Sequence, residues 1–368
     1  METQMKLEHR IDFRWLILFA LPTIFSSIFA NLYSTVDGIF VALYVDTDAL
    51  SAINITMPMT YLASALGMMF GSGGNARVAR KIGEGRHQEA REDFSLMMAV
   101  AFGFSVVLAG AAIATSIGYA VPSIVGAIFF CTSRKQVLHV VRPKWRGKTI
   151  TDSCINGSSE MVSVLAFSVI TILFNRILMS LGGSDGVASL SIIWYAQGLF
   201  GGLFRGYING ISSVVSYNLG RGDKARLSKL FRISVFTLLG TSAVVTAVSY
   251  LLGGAVVGFF AKGNAHVAEI ALHGFHIVAT SFTMTAFNVF ASGWFTALND
   301  GKTSAILSFC RTIVFMVLPV LVLPRIFEMD SVWLSITVGE VLSLTMSIYY
   351  FAKFRDMWEM PAREQEER

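Results

Sequence analysis

Residues 94–133 read FSLMMAVAFGFSVVLAGAAIATSIGYAVPSIVGAIFFCTS, forty consecutive positions without one Asp, Glu, Lys or Arg. A run of more than about 18 apolar residues is long enough to cross a bilayer as a helix, and this stretch has room for two. Charge returns abruptly on both flanks, with Arg91, Glu92 and Asp93 before it and Arg134 and Lys135 after it. Residues 49–76 and 233–261 are similar uncharged tracts. Over the whole chain 54% of residues are hydrophobic and 14% charged, with a mean hydropathy of +0.61. Soluble domains carry about 25% charged residues. The composition therefore excludes a secreted disulfide scaffold, a nucleic-acid-binding module and an ordinary cytosolic enzyme, and predicts an all-α integral membrane protein.

Charge gaps and turn residues predict ten spans, near 15–44, 49–72, 94–112, 113–131, 158–181, 187–213, 233–258, 265–298, 303–325 and 331–353. The net charge of +5 is gathered into alternate connections. One holds Arg77, Arg80, Lys81, Arg86 and Arg91, the next Arg134 to Lys148, and the next Arg221 to Arg232. The intervening turns, Val45–Asp48 and Gly182–Asp185, are short and acidic. Basic loops stay on the cytoplasmic side, so both termini are expected there too, in a multi-pass protein of the cytoplasmic membrane. The first apolar run, Trp15 to Val36, lacks the small-residue cleavage site of a signal peptide. Cys131, Cys154 and Cys310 lie in or beside spans and imply no disulfide framework.

The chain also repeats. At an offset of 137, Asp48 falls on Asp185, Ile55 on Ile192, Leu62 on Leu199, Leu66 on Leu203, Gly73 on Gly210, Gly83 on Gly220, Gly85 on Gly222 and Phe94 on Phe231. Both copies run acidic turn, span, Gly-x-Gly, basic loop, which points to a parallel internal duplication. Further on the offset becomes 221, where Phe129-Phe130 meets Tyr350-Phe351 and Arg134 meets Arg355. The difference, 84 residues, is what two spans and their connections occupy. The first half is therefore expected to hold four spans and the second six, with two spans missing near 111–116; unequal duplication is the alternative. The organisation expected is a first lobe over 1–131, a basic cytoplasmic linker over 132–157, a second lobe over 158–354 and a polar cytoplasmic tail over 355–368.

Leu21-Pro22 followed by Asn31-Leu32-Tyr33-Ser34-Thr35-Val36-Asp37-Gly38-Ile39-Phe40-Val41 resembles the first span of multidrug and toxic-compound extrusion (MATE) transporters. Asn156-Gly157-Ser158-Ser159-Glu160-Met161, Phe174-Asn175 and Ser216-Tyr217-Asn218-Leu219-Gly220 resemble that family's second half, and Trp333 and Glu340 its last span. The resemblance covers nearly the whole chain. It implies a two-lobe bundle around a central cleft, exporting small organic cations against inward H⁺ or Na⁺, with no other cofactor, in the lipid bilayer as a monomer that binds no nucleic acid. The chain departs from the family pattern at Ser213, where Pro is usual, and in lacking the fifth span that contributes to the first lobe's cation site.

An acid inside a span marks an ion path by default, which makes Asp37 the leading cation-coupling candidate, with Tyr33 one turn away on the same face. Its alternative is a helix-end acid reaching the outer headgroups. Pro22 is a candidate bend, static or mobile. Glu160 matches an acidic position of the family, but after Ser158 and Ser159 it also fits the first turn of a helix, where an acid complements the dipole. Glu340 is either a cation ligand or the partner of Arg311. Arg176 and Arg205 also lie within spans, as anion-repelling or structural groups. Asn31, Asn54, Asn175, Gln197 and Asn288 are candidate cavity residues, and the 16 Met and 29 Phe suit either an adaptable cationic-drug pocket or ordinary packing. Glu269, His273 and His276 share a helix face that reads as a solvated end rather than a metal site, and no Gly-Lys-Ser/Thr follows the glycine clusters, so no P-loop is present. No nucleophile–base set argues for an enzyme. The competing functions are a lipid-linked precursor flippase of a related fold and an inactive, truncated transporter.

Overall fold

The computed structural model describes residues 11–44, 47–109, 124, 127–132, 137–261, 264–324 and 329–359, with the side chains of 33–63 and 104–109 outside the description. Every regular element among the described residues is helical. In chain order they are α1 (Phe13–Tyr44), α2 (Thr47–Gly83), α3 (His87–Ala109), α4 (Gly147–Gly220), α5 (Lys224–Ala261), α6 (Ala265–Ala279), α7 (Phe282–Ala297), α8 (Gly301–Phe309), a π-turn (Cys310–Val314), α9 (Phe315–Val322) and α10 (Asp330–Lys353). Residues 127–132 are also helical.

Length and composition qualify Phe13–Leu32, Gly147–Gly220, Lys224–Ala261, Gly301–Val322 and Asp330–Lys353 to cross a membrane, and α6 with α7 as a sixth if that pair, bent by 55°, is one span. α4 carries two of the sequence-predicted spans, because Gly183 interrupts it with φ 59° and ψ −147°; its first arm is 147–182 and its second 184–220. A positive φ of that kind is open to glycine at little cost. The predicted second span folds within α2, and the described part of the third within α3. Most of the predicted fourth, with the proposed deletion point, lies outside the described residues.

The repeat is visible in the packing. Among the described residues α4 makes the most extensive contacts, chiefly with α2 and α1 of the first half. Where α2 crosses the second arm, a Cβ on Gly83 would stand 2.0 Å from the carbonyl oxygen of Tyr217, and a Cβ on Gly220 2.0 Å from that of Arg80. Arg80 and Tyr217 are themselves one repeat apart, so the contact is reciprocal. Gly73 meets Ser153 O on the first arm, and its counterpart Gly210 meets Ala20 on α1. Each helix then stops in the same way. Gly85 (φ 76°) and Gly222 (φ 69°) take the left-handed conformation, Arg86 N donates to Lys81 O at 2.9 Å, and Asp223 N donates to Asn218 O at 3.1 Å, the glycine-capped ending that satisfies the last carbonyls. The second offset is visible too. Phe94 meets Phe130 edge-on at 4.8 Å, and Phe231 meets Phe351 edge-on at 5.2 Å.

The basic segment does not remain a loop up to 157, and helix α4 starts at Gly147. The cause lies in side chains across the fold. Arg77 donates to Asp152 Oδ2 at 2.7 Å and Thr149 Oγ1 donates to Asp93 Oδ1 at 3.3 Å. Asp93, 1% exposed, also accepts from Lys81 Nζ at 2.5 Å and pairs with Arg77 Nε at 3.3 Å. Arg146 and Lys144 both reach Glu92. Farther back, Arg91 Nε donates to Val137 O at 2.8 Å and Val141 N to Ser95 Oγ at 2.9 Å, strapping the connecting segment to α3.

Candidate functional site

Inside the second half, α7, the π-turn and α10 converge on one carboxylate. Glu340 is 4% exposed and accepts from Arg311 Nη2 at 2.8 Å and from Arg311 Nε at 3.2 Å. Asn288 Nδ2 donates to Glu340 Oε2 at 2.7 Å and to its backbone oxygen at 2.9 Å. Ser347 Oγ then donates to Asn288 Oδ1 at 2.8 Å. A buried charge needs a paired partner and satisfied lone pairs, and here the set is closed. Of the two sequence alternatives for Glu340, the structure places it with Arg311. Asn288, a candidate cavity residue, is a buried member of the same network.

Arg311 sits on an irregular piece of backbone. Phe315 N donates to Cys310 O, five residues back, giving the wide turn of a π-bulge. α10 lies close against the end of this turn, since a Cβ on Gly339 would be 2.4 Å from Phe315 O.

Glu160 is well inside the first arm of α4, which begins at Gly147, so Ser158 and Ser159 are not its N-cap and the helix-start reading does not hold. Ser158 Oγ instead donates to Ile155 O at 2.7 Å. Glu160 is half-buried on the first arm, and Arg205 is exposed on the second. Among the described residues neither Glu160 nor Arg205 forms a hydrogen bond or ion pair. Glu340 and Arg311 are thus joined, while Glu160 and Arg205, on the two arms of α4, are not bonded to a described residue.

The remaining candidates separate. Asp37, Tyr33 and Asn54 lie on α1 and α2, but their side chains fall outside the described residues. α1 continues through Pro22, and Thr23 Oγ1 donates to Ala20 O at 2.7 Å beside it. Asn31 Nδ2 donates to Ser27 O at 2.7 Å and packs against Gly202 of the second arm, which places it at the contact between halves. Asn175 and Gln197 are half-buried. At the other end His273 Nε2 pairs with Asp330 at 3.1 Å, while His276 is stacked by Tyr250.

Sequence reasoning missed a run of hydroxyls beside Glu160. Ser159 Oγ lies 3.2 Å from Thr296 Oγ1, which lies 2.6 Å from Ser304 Oγ. Ser292 Oγ is 3.1 Å from Ser304 Oγ and 2.7 Å from Ser308 Oγ. Serine and threonine satisfy themselves on helix carbonyls so often that no spacing singles these five out.

The MatE family profile matches residues 22–120 and 161–321. The multidrug export protein MepA of Staphylococcus saprophyticus is 22% identical over 259 residues, 69% of this chain and 56% of that protein. MepA of Staphylococcus aureus strain MRSA252 is 24% identical over 300 residues, 75% of this chain and 60% of its own length. The chain therefore spans a little over half the length of the curated relatives it matches. An outward-facing multidrug resistance MATE transporter of the MOP superfamily superposes with a TM-score of 0.84 at 18% identity, covering 96% of this chain and 98% of that one. A MOP superfamily transporter from Pyrococcus furiosus, described as having a binding pocket of reverse polarity, gives 0.81 at 17% identity over 96% and 98% of the two chains. These structures establish the fold, and with the profile matched across well over half of its residues the chain belongs to the MatE family, the multidrug and toxic-compound extrusion transporters.

Proposed function

We propose that the chain works as a cation-coupled antiporter that exports small organic cations across the cytoplasmic membrane in exchange for inward H⁺ or Na⁺. One observation carries the reading: Glu160 is an acid well inside a membrane helix, with no ion pair or hydrogen bond to a described residue, while Glu340 on α10 is already satisfied by Arg311. A group of that kind is stable only if it takes up a proton or a cation. Family membership and relatives named as multidrug export proteins supply the direction. Asp37, placed on α1 by the family resemblance, is the proposed coupling group of the first half.

The test is ethidium efflux from proteoliposomes under an imposed proton or sodium gradient. Glu160→Gln and Asp37→Asn should each lower gradient-driven efflux at least tenfold while leaving insertion unchanged. Wild-type efflux from both variants would remove these carboxylates from the mechanism. Orientation is tested separately by cysteine labelling at positions 146 and 184, which should react from opposite faces.

A second reading, transport of a lipid-linked anionic precursor, is favoured by two arginines, Arg205 and Arg311, on helices of the second half apolar enough to span a membrane. It predicts that Arg205→Gln abolishes transport of a pyrophosphate-linked lipid and spares ethidium. The third reading, an inactive truncated transporter, is favoured by the change of offset from 137 to 221. It predicts no gradient-driven efflux of any probe until about 84 residues are restored near Ala112.

A further inference from the structure

We propose that the hydroxyls of Ser159, Ser292, Thr296, Ser304 and Ser308, with the amide oxygen of Asn156, form a binding site for one Na⁺ in the second half, built of neutral oxygens alone. Such a site stands apart from the carboxylates proposed for coupling and does not depend on the export reading.

Three helices each supply two of the six residues, one turn apart on a single face: Asn156 and Ser159 on α4, Ser292 and Thr296 on α7, Ser304 and Ser308 on α8. Their oxygens are crowded. Thr296 Oγ1 is 2.6 Å from Ser304 Oγ and 3.1 Å from Ser292 O, and Ser304 Oγ is 2.8 Å from Ser292 O. Ser159 Oγ reaches Thr296 Oγ1 at 3.2 Å, and Ser292 Oγ reaches Ser304 Oγ at 3.1 Å and Ser308 Oγ at 2.7 Å. A hydroxyl brings one proton, so five protons are shared among six oxygen–oxygen contacts. At least one contact lacks a proton of its own, which leaves lone pairs face to face.

An unmet acceptor lies beside this surplus. Asn156 Nδ2 donates to Thr296 O at 3.0 Å, which brings the amide against the cluster and fixes which end is nitrogen, because a carbonyl needs a donor. Asn156 is 5% exposed, and Oδ1, the other end of that amide, has no hydrogen-bond partner among the described residues. Ser153 Oγ, one turn back on α4 and fully buried, is unpartnered in the same way. Buried acceptors left unmet are costly.

The cluster thus offers oxygen and lacks protons and positive charge. Hard cations take oxygen ligands, and divalent ones are held through carboxylates. None of the six residues carries a carboxylate, so the site suits a monovalent ion. Oxygens only 2.6–3.2 Å apart crowd K⁺, whereas the smaller Na⁺ needs little expansion of the cluster. None of the six titrates near neutral pH, so a proton does not take the ion's place. The bound ion ties α4 to α7 and α8 where backbones already press together, since a Cβ on Gly301 would meet the backbone of Asn156.

Equilibrium binding of radiolabelled Na⁺ to the purified full chain carrying Asp37→Asn and Glu160→Gln tests the site, because Na⁺ held by the proposed coupling acids is then not counted. One saturable Na⁺ per chain is expected, displaced by unlabelled Na⁺ at least tenfold more effectively than by K⁺. Thr296→Val and Ser304→Ala, each added to that background, should weaken binding at least tenfold. Ser163→Ala, which removes only a hydroxyl bonded to Ser159 O, should leave it unchanged, and circular dichroism with gel filtration identifies any variant that has lost its fold. Absence of saturable Na⁺ binding in the Asp37→Asn/Glu160→Gln background, the result if the cluster holds water alone, overturns the proposal. So does binding that persists in both Thr296→Val and Ser304→Ala, or displacement by K⁺ as effective as by Na⁺. If the site is found and the wild type shows no gradient-driven ethidium efflux, the export reading fails and the site stands.

Discussion

The two halves share a register at their basic ends but not a chemistry. Arg77, Lys81 and Asp93 of the first half stand where Val214, Asn218 and Leu230 stand in the second. In the second half α7 packs Phe290, Trp294 and Phe295 into this end, with Phe231, Phe351 and Trp358 closing around them. In the first half the described residues supply no counterpart of α7, and the space is filled by ion pairs and by the connecting segment. Val137, at the position of Trp358 under the second offset, is buried there. The comparison teaches that a helix end stripped of an apolar neighbour can be sealed by charges, provided each is matched.

The largest effect should come from breaking one end at a time. Asp93→Ala leaves the buried Lys81 ammonium beside Arg77 with only Glu89, at 3.3 Å, to balance it and should cost about 3 kcal/mol; Trp358→Ala should cost ~3–5 kcal/mol through its cavity. Thermal unfolding in detergent measures both, and high salt should shrink the deficit only for Asp93→Ala. A shallow loss for Asp93→Ala would mean that the ionic end does not hold the halves together.

Converting one end into the other is the sharper test. Arg77→Val/Lys81→Asn/Asp93→Leu writes the second half's residues into the first. Replacing a buried ionic set with apolar groups is often neutral or stabilising by about 1–4 kcal/mol. Here it should fall short of that, because α7 has no counterpart to cover the new leucine, and α3 should gain protease sensitivity. The reciprocal glycines come next: Gly83→Ala and Gly220→Ala each force a methyl onto a carbonyl and should cost about 1–3 kcal/mol, in equal measure if the halves are equivalent.

The smallest effect is on pH. A hydrogen bond from Arg86, with a weaker one from Lys81, holds Glu89 down to about 2 from an ordinary 4.5, and Lys144 followed by Gln88 lowers Glu92. Because the folded values lie below the unfolded ones, this stabilisation is complete above about pH 4.5 and fades as pH falls toward 2. Hydrogen exchange near α3 should therefore accelerate over that window, while α7 and α10 stay protected. Equal acceleration at both ends would remove the distinction.

The all-helical membrane fold and the repeat were legible because each is written in local composition or at a fixed offset. Gly83 and Gly220 were marked by the same register. The ionic seal was not legible: Arg77 and Asp152, or Asp93 and Thr149, are far apart in sequence, and nothing local distinguishes them from other loop charges. The reading of Glu160 as a helix-start acid came from Ser158 and Ser159, which ordinarily signal an N-cap; tertiary pairing of Thr149 and Asp152 moved the helix start upstream instead. Glu340 and Arg311 were readable as a pair, but the π-turn that carries Arg311 has no sequence mark, since it is a property of backbone register.

The crossing of Gly83 with Gly220 would also set the pivot for any tilt of α2. It lies at the very end of α2, whose 37 residues extend about 55 Å at 1.5 Å per residue. A tilt of ~10° about that crossing leaves the basic end almost still and carries the acidic-turn end through about 10 Å, a lever whose whole throw falls on one side of the molecule.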